Sequence, residues 1–200
     1  MIQNKIIGVT GITGSGTSTV SAILAELGGF VIYADKLAHE VILKGQAAYE
    51  KIHSTFGEDI LQPDGEINRK TLGAKVFGNP EKLVALELII HPEVIAKTHQ
   101  LLAQAQNFPF AVIDAPLLIE SGIYKMCNSV WLVTATDDNR LARIIARDGI
   151  DLEIATRRLK SRVGDASLRP YADVIIENDE DIASLRKQVT AALLQYRKEL

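Results

Sequence analysis

Five short runs rich in valine and isoleucine recur along the chain, separated by stretches of helical period. This alternation limits the possible folds more than any other feature. The runs are Lys5–Thr10, Phe30–Asp35, Phe110–Asp114, Ser129–Thr134 and Asp173–Glu177. Strands this apolar are covered on both faces. Alternation with helices implies right-handed crossovers and a parallel sheet with helices on both sides. Helical patterns cover Ser18–Leu27, Lys36–Leu43, Tyr49–Phe56, Pro80–Ile89, Glu93–Gln106, Asn139–Arg147, Leu152–Val163 and Ile182–Arg197. The expected fold is therefore α/β, a five-stranded parallel sheet with helices on both faces. The stretch of about 75 residues between the second and third strands is too long for one crossover. It reads as a helical insert with turns at Pro63-Asp64-Gly65 and Gly78-Asn79-Pro80. Ligands of such sheets bind outside the carboxyl ends of the strands, which directs attention to Gly11 onward, Asp35, Asp114 and Thr134.

At 200 residues the chain is expected to form one domain. Its 47% hydrophobic and 24% charged residues exclude a disordered or fibrous chain. The single cysteine, Cys127, excludes an internal disulfide framework. No apolar run approaches the ~18 residues of a membrane span, and Met1–Thr10 lacks a signal-peptide layout, so a soluble cytoplasmic protein is expected. Net charge is −3, yet residues 140–169 hold eight basic side chains against four acidic ones. A mildly acidic chain with one arginine-dense segment suits a local anionic ligand, not a duplex nucleic acid. The competing explanation is a solvated helical face of paired charges.

The first strand runs into Gly11-Ile12-Thr13-Gly14-Ser15-Gly16-Thr17-Ser18-Thr19 and then a helix. Against the phosphate-loop pattern G-x-x-x-x-G-K-[ST], Gly11, Gly16 and Ser18 match while Thr17 stands where lysine is expected. Glycines still let backbone N–H groups curl around phosphate oxygens, and the helix N-terminus adds its positive end. Ser18 can still offer a hydroxyl to Mg²⁺. A dinucleotide-binding turn begins similarly, with an acid about 20 residues on where Asp35 stands, but its glycines run G-x-G-x-x-G and these do not.

Asp35 can orient or deprotonate a substrate hydroxyl facing a γ-phosphate, or simply cap the helix beginning at Lys36. Asp114 can hold a Mg²⁺-bound water, or act as a turn residue. His91-Pro92 looks like a helix start. Arg140, Arg143 and Arg147 fall at i, i+3 and i+7 and share one helical face, with Leu141, Ile144 and Ile145 beside it to pack on the sheet. Together with Arg157, Arg158 and Arg162 they would form a lid closing on a triphosphate.

In order and spacing these motifs resemble the dephospho-CoA kinase family over nearly the whole chain. The stretches that carry the resemblance are Gly8-Val9-Thr10-Gly11 with Gly14-Ser15-Gly16, Ala34-Asp35, Asp64-Gly65 with Asn68-Arg69, and His91-Pro92. Further on come Asp114-Ala115-Pro116-Leu117-Leu118-Ile119-Glu120, Tyr124-Lys125, Arg143 with Arg147-Asp148, and Ala172-Asp173-Val174-Ile175-Ile176 with Asn178. The resemblance implies a P-loop kinase core over about 1–35, 108–148 and 170–200, an acceptor-binding insert over about 36–107 and a lid over about 149–169.

It also implies transfer of the γ-phosphoryl of ATP to the ribose 3′-hydroxyl of dephospho-CoA. ATP would lie on Gly11, Thr13, Gly14, Ser15, Gly16, Thr17, Ser18 and Thr19, with Asn178 by the adenine. Mg²⁺ would lie at Ser18 and, through water, Asp114. Asp35 would be base or anchor for the hydroxyl, and Arg143 and Arg147 would contact the transferring phosphate. His91, Leu117 and Glu120 would line the acceptor side. The departures are Ile12, Thr13 and Thr17 where the family shows Gly, Ile and Lys, and Arg162 where it shows Gln. Losing one preorganised charge-stabilising donor costs on the order of 10²–10³ in turnover. Lys36, Lys125 or a lid arginine is expected to compensate. The alternatives are a nucleotide- or CoA-binding homologue without turnover, and a kinase for another small nucleotide.

Overall fold

A computed structural model of the chain describes residues 5–160 and 165–198. Five strands form one parallel sheet: β1 (Ile6–Thr10), β2 (Gly29–Tyr33), β3 (Phe110–Asp114), β4 (Ser129–Thr134) and β5 (Val174–Glu177), in the order β2-β3-β1-β4-β5. The helices among the described residues are α1 (Thr17–Glu26), α2 (Ala34–Glu40), α3 (Ala47–Phe56), α4 (Arg69–Val76), α5 (Pro80–Gln104), α6 (Asp137–Asp148), α7 (Leu152–Lys160), α8 (Asp165–Leu168) and α9 (Ile182–Lys198). None of them is long and apolar enough to cross a membrane. The chain divides into two compact units, one of residues 1–32 with 102–200 and the other Tyr33–Leu101.

The first unit contains nearly all of the sheet. Alternate strand residues point to opposite faces. Ile7, Val9, Phe110, Val112, Trp131 and Val133 accordingly form one buried cluster with Val20, Ile23 and Leu24 of α1 and Leu185, Val189 and Leu193 of α9. Leu132, on the other face, packs with Ile12 and Leu168. Each such fully buried aliphatic side chain contributes roughly 1.5–3 kcal/mol relative to exposure. The β1–β3 register sets Val9 opposite Asp114, and the β1–β4 register sets Thr10 opposite Leu132. The carboxyl ends of these strands thus lie together, beside the turn that follows β1.

The second unit has its own core of Ala48, Ile52 and Ile60, all fully buried, with Leu37, Phe56 and Leu72. Its α4 begins at Asn68, whose side-chain oxygen accepts from the Lys70 and Thr71 N–H groups at 3.1 Å. Leu61 and Ile67 form an antiparallel bridge around the Pro63-Asp64-Gly65 turn, with Gly65 at φ 85°.

The structure corrects several expectations. The patterns Pro80–Ile89 and Glu93–Gln106 belong to one helix, α5, so His91-Pro92 is helix interior and not a start. Proline there removes the bond to the carbonyl four residues back. That residue is Leu88, on the exposed side of the helix. Strand β2 ends at Tyr33, so Asp35 does not close a strand but is the second residue of α2, whose cap is Tyr33 and not Asp35. Two helices, α4 and the short α8, were not expected. Of the expected helix Leu152–Val163, the end lies outside the described residues, as do Arg162 and that part of the expected lid.

Candidate phosphate-binding site

The turn between β1 and α1 is shaped by two glycines in the left-handed region, Gly14 at φ 84° and Gly16 at φ 97°. Gly16 is also the residue from which α1 starts: its carbonyl accepts from Thr19 at 3.0 Å and Val20 at 3.2 Å. Among the described residues no side chain caps this helix, so its first N–H groups, on Thr17 and Ser18, are open to a ligand. Space is tight as well. A Cβ on Gly14 would meet the Arg140 carbonyl oxygen at 2.8 Å, and one on Gly16 would meet the Asn178 amide nitrogen at 2.2 Å. A Cβ on Gly11 would meet Ser15 Oγ and the Val133 carbonyl, each at 2.5 Å. All three positions exclude a side chain.

The carbonyls of the turn are held from outside by α6 and by the residue after β5. Arg140 Nε donates to the Thr13 carbonyl at 3.0 Å, while its Nη1 pairs with Asp137 at 2.7 Å. Arg143 Nη1 donates to the Gly14 and Ser15 carbonyls, each at 3.3 Å, and its Nη2 to the Asn178 carbonyl at 2.7 Å. The Asn178 side-chain amide donates to the Ser15 carbonyl at 2.8 Å. A trans peptide points its N–H opposite its C=O. Tying the Thr13 and Ser15 carbonyls outward therefore turns the Gly14 and Gly16 N–H groups inward, and among the described residues neither has a protein acceptor. The Ser15 N–H closes the turn on the Ile12 carbonyl at 3.0 Å. With Thr17 and Ser18, this is a concave set of backbone donors at a helix N-terminus, suited to phosphate oxygens.

Asp179 fixes the outer wall. Its carboxylate accepts from the Thr136 N–H at 2.7 Å, the Thr136 hydroxyl at 2.8 Å and the Asn139 amide at 2.9 Å. These bonds, the Thr136 N–H foremost, hold its carboxyl below the usual carboxylate range. The carboxylate thus ties the turn after β5 to the start of α6.

The three arginines expected on one face separate into two roles. Arg140, 5% exposed, and Arg143 hold the turn. Arg147 points elsewhere, its Nε and Nη2 on the Asp148 carboxylate at 2.7 and 3.1 Å, with Arg158 on the same carboxylate at 2.6 Å. The Arg147 fork, aided by Arg158, holds the Asp148 carboxyl below its ordinary range, and Asp148 in turn raises Arg147.

Thr17 and Thr19 are half-buried and the Ser18 side chain is exposed in the first turn of α1. Asp114 is buried at the end of β3. Leu117, half-buried, and Glu120, exposed, lie in the turn that follows, and Lys125 is exposed. In the second unit Asp35 is exposed in the first turn of α2, His91 is half-buried in α5, and Lys36 lies 4.7 Å over the Tyr33 ring. The loop-facing role of Arg140 and the anchoring by Asp179 were not read from the sequence. Helical spacing shows which residues share a face, not that α6 abuts a turn 127 residues earlier.

The family model described as dephospho-CoA kinase matches residues 5–184. The dephospho-CoA kinase of Carboxydothermus hydrogenoformans is 37% identical over 199 residues, covering 98% of this chain and 97% of that one. Among solved structures, a Thermus thermophilus protein superposes with a TM-score of 0.85 at 30% identity, over 96% of this chain and 97% of that one. Dephospho-CoA kinase from Campylobacter jejuni gives a TM-score of 0.70 at 32% identity, over 97% of this chain and 98% of that one.

Proposed function

The chain belongs to the dephospho-CoA kinase family, and from that premise we propose that it transfers the γ-phosphoryl of ATP to the ribose 3′-hydroxyl of dephospho-CoA, giving CoA and ADP. The observation that carries this reading is the β1–α1 turn, whose carbonyls are tied outward by Arg140, Arg143 and Asn178, an arrangement that turns its N–H groups inward and suits them to an anion. The acceptor oxygen forms a bond to the γ-phosphorus as the bond from that phosphorus to the β–γ bridging oxygen breaks. Catalysis of this kind is positioning and electrostatics, with no covalent enzyme intermediate.

Individual roles follow from chemistry and position. The N–H groups of Gly14, Gly16, Thr17 and Ser18 hold phosphate oxygens, with Gly11, Thr13, Ser15 and Thr19 shaping the turn, and Asn178 borders the nucleotide. The exposed Asp35 carboxylate, just beyond β2, orients the 3′-hydroxyl and takes its proton. Arg143 spends three bonds on carbonyls, and its two remaining N–H groups, without a protein acceptor among the described residues, would serve a phosphate. The exposed Arg147 fork turns from Asp148 to the transferring group. His91, Leu117 and Glu120 belong to acceptor recognition. The described residues hold no cluster of three metal-ligating side chains. Mg²⁺ bound with a nucleotide needs none, since it keeps several waters and takes one or two protein oxygens. The Ser18 hydroxyl and the Asp114 carboxylate are hard oxygen donors of the kind it takes, and the ion would neutralise phosphate charge. A cytoplasmic location fits a chain acting on such soluble nucleotides.

Product analysis with Mg·ATP and a panel of acceptors tests the reading. CoA from dephospho-CoA, with no transfer to nucleoside monophosphates, is expected; transfer to the monophosphates alone would reassign the acceptor. Thr17 favours one second reading, a nucleotide-binding homologue without turnover. Tight ATP binding with no CoA formed at high enzyme concentration would select it.

A further inference from the structure

Arg140 carries a cation into a place where cations are costly. Its side chain is 6% exposed. A buried guanidinium is retained only where paired and hydrogen-bonded, and apolar replacements of buried ion pairs are often neutral or stabilising. Its carboxylate partner, Asp137, is 73% exposed and needs no partner itself. The remaining bond goes to the Thr13 carbonyl, and that oxygen shares its peptide unit with the Gly14 N–H. A charged donor on a carbonyl polarises the whole peptide group and strengthens its N–H as a donor, as in any chain of hydrogen bonds at low local dielectric. Arg143 and Asn178 do the same to the Ser15–Gly16 peptide and its Gly16 N–H.

We propose that Arg140 is a positioning residue of the phosphate loop, its guanidinium acting through the Thr13–Gly14 peptide to aim and strengthen the Gly14 N–H. The proposal rests on the phosphotransferase reading above. It gives the chain a source of positive charge on phosphate although Thr17 has none. The charge arrives through the backbone, from outside the loop. The sequence alone suggests that Arg140 faces the triphosphate; in the structure its guanidinium meets the Thr13 carbonyl instead.

The test is nucleotide binding without acceptor, measured by calorimetry on the full chain with ATP and with inorganic tripolyphosphate. Arg140→Met keeps the buried stem and removes the charge. It is expected to weaken ATP about tenfold and tripolyphosphate by a similar factor, at a temperature where circular dichroism shows the variant folded. Arg140→Lys restores part of the loss. If the methionine variant does not fold, the lysine variant carries the test, with an expected weakening of about threefold for both ligands. Unchanged ATP affinity in a folded variant overturns the proposal. So does a loss seen with ATP but not with tripolyphosphate, because the effect would then lie at the base. An unaltered chain that binds neither ligand overturns the kinase reading along with it.

Discussion

Gly16 is the residue on which the loop depends most. It combines a left-handed φ of 97° with a neighbour, the Asn178 amide, only 2.2 Å from where a Cβ would stand. A non-glycine residue in the left-handed region costs roughly 1–2 kcal/mol. The clash would in addition displace Asn178 from the Ser15 carbonyl. Gly16→Ala is therefore expected to lower the melting temperature by several degrees and to weaken ATP binding at least tenfold; a variant that melts lower but binds ATP normally would contradict the assigned role of the turn. Thr17, the next residue, was legible from sequence as a departure. Its consequence was not, because the bonds around it come from α6 and the turn after β5.

At the scale of elements, α6 and that turn form one piece through Asp179. Its depressed carboxyl contributes stability above the ordinary value of 3.8, and the contribution is lost as pH falls through the lower value reached in the folded chain. Asp179→Asn should therefore lose less unfolding free energy between about pH 6 and pH 3 than the unaltered chain, measured by denaturant titration. Equal losses would mean that this carboxylate does not govern the acid limb. Strands were the most legible elements, because the central ones, β3 and β4, are buried along their whole length and keep apolar runs; β5, largely exposed, was read from its valine and isoleucines alone. Helix α4 was missed because only Leu72 and Val76 of its eight residues are buried; the Asn68 cap, not a hydrophobic stripe, marks its start. The single α5 was missed because Pro92 is ordinarily a helix boundary, whereas here it lies inside the helix. Asp35 was read as the last residue of the second strand, but the chain turns helical at Ala34, two residues earlier than the apolar run suggested.

For the whole molecule, a net charge of −3 offers no long-range attraction to a nucleotide triphosphate or to an acceptor carrying a pyrophosphate. Attraction must come from the loop and its arginines at close range. The family-level activity was legible because the motifs keep their order along the chain, which short-range patterning can show. Which cation serves the loop was not, because that depends on contacts among three distant segments. The central claim is that a loop lacking its lysine still performs phosphoryl transfer. The most direct measurement is the rate of CoA formation from dephospho-CoA and Mg·ATP by the unaltered chain, with Thr17→Lys beside it. The account predicts measurable turnover by the unaltered chain, and a gain in Thr17→Lys well short of the 10²–10³ that one preorganised donor commands. No product from the unaltered chain, with product from Thr17→Lys, would contradict it.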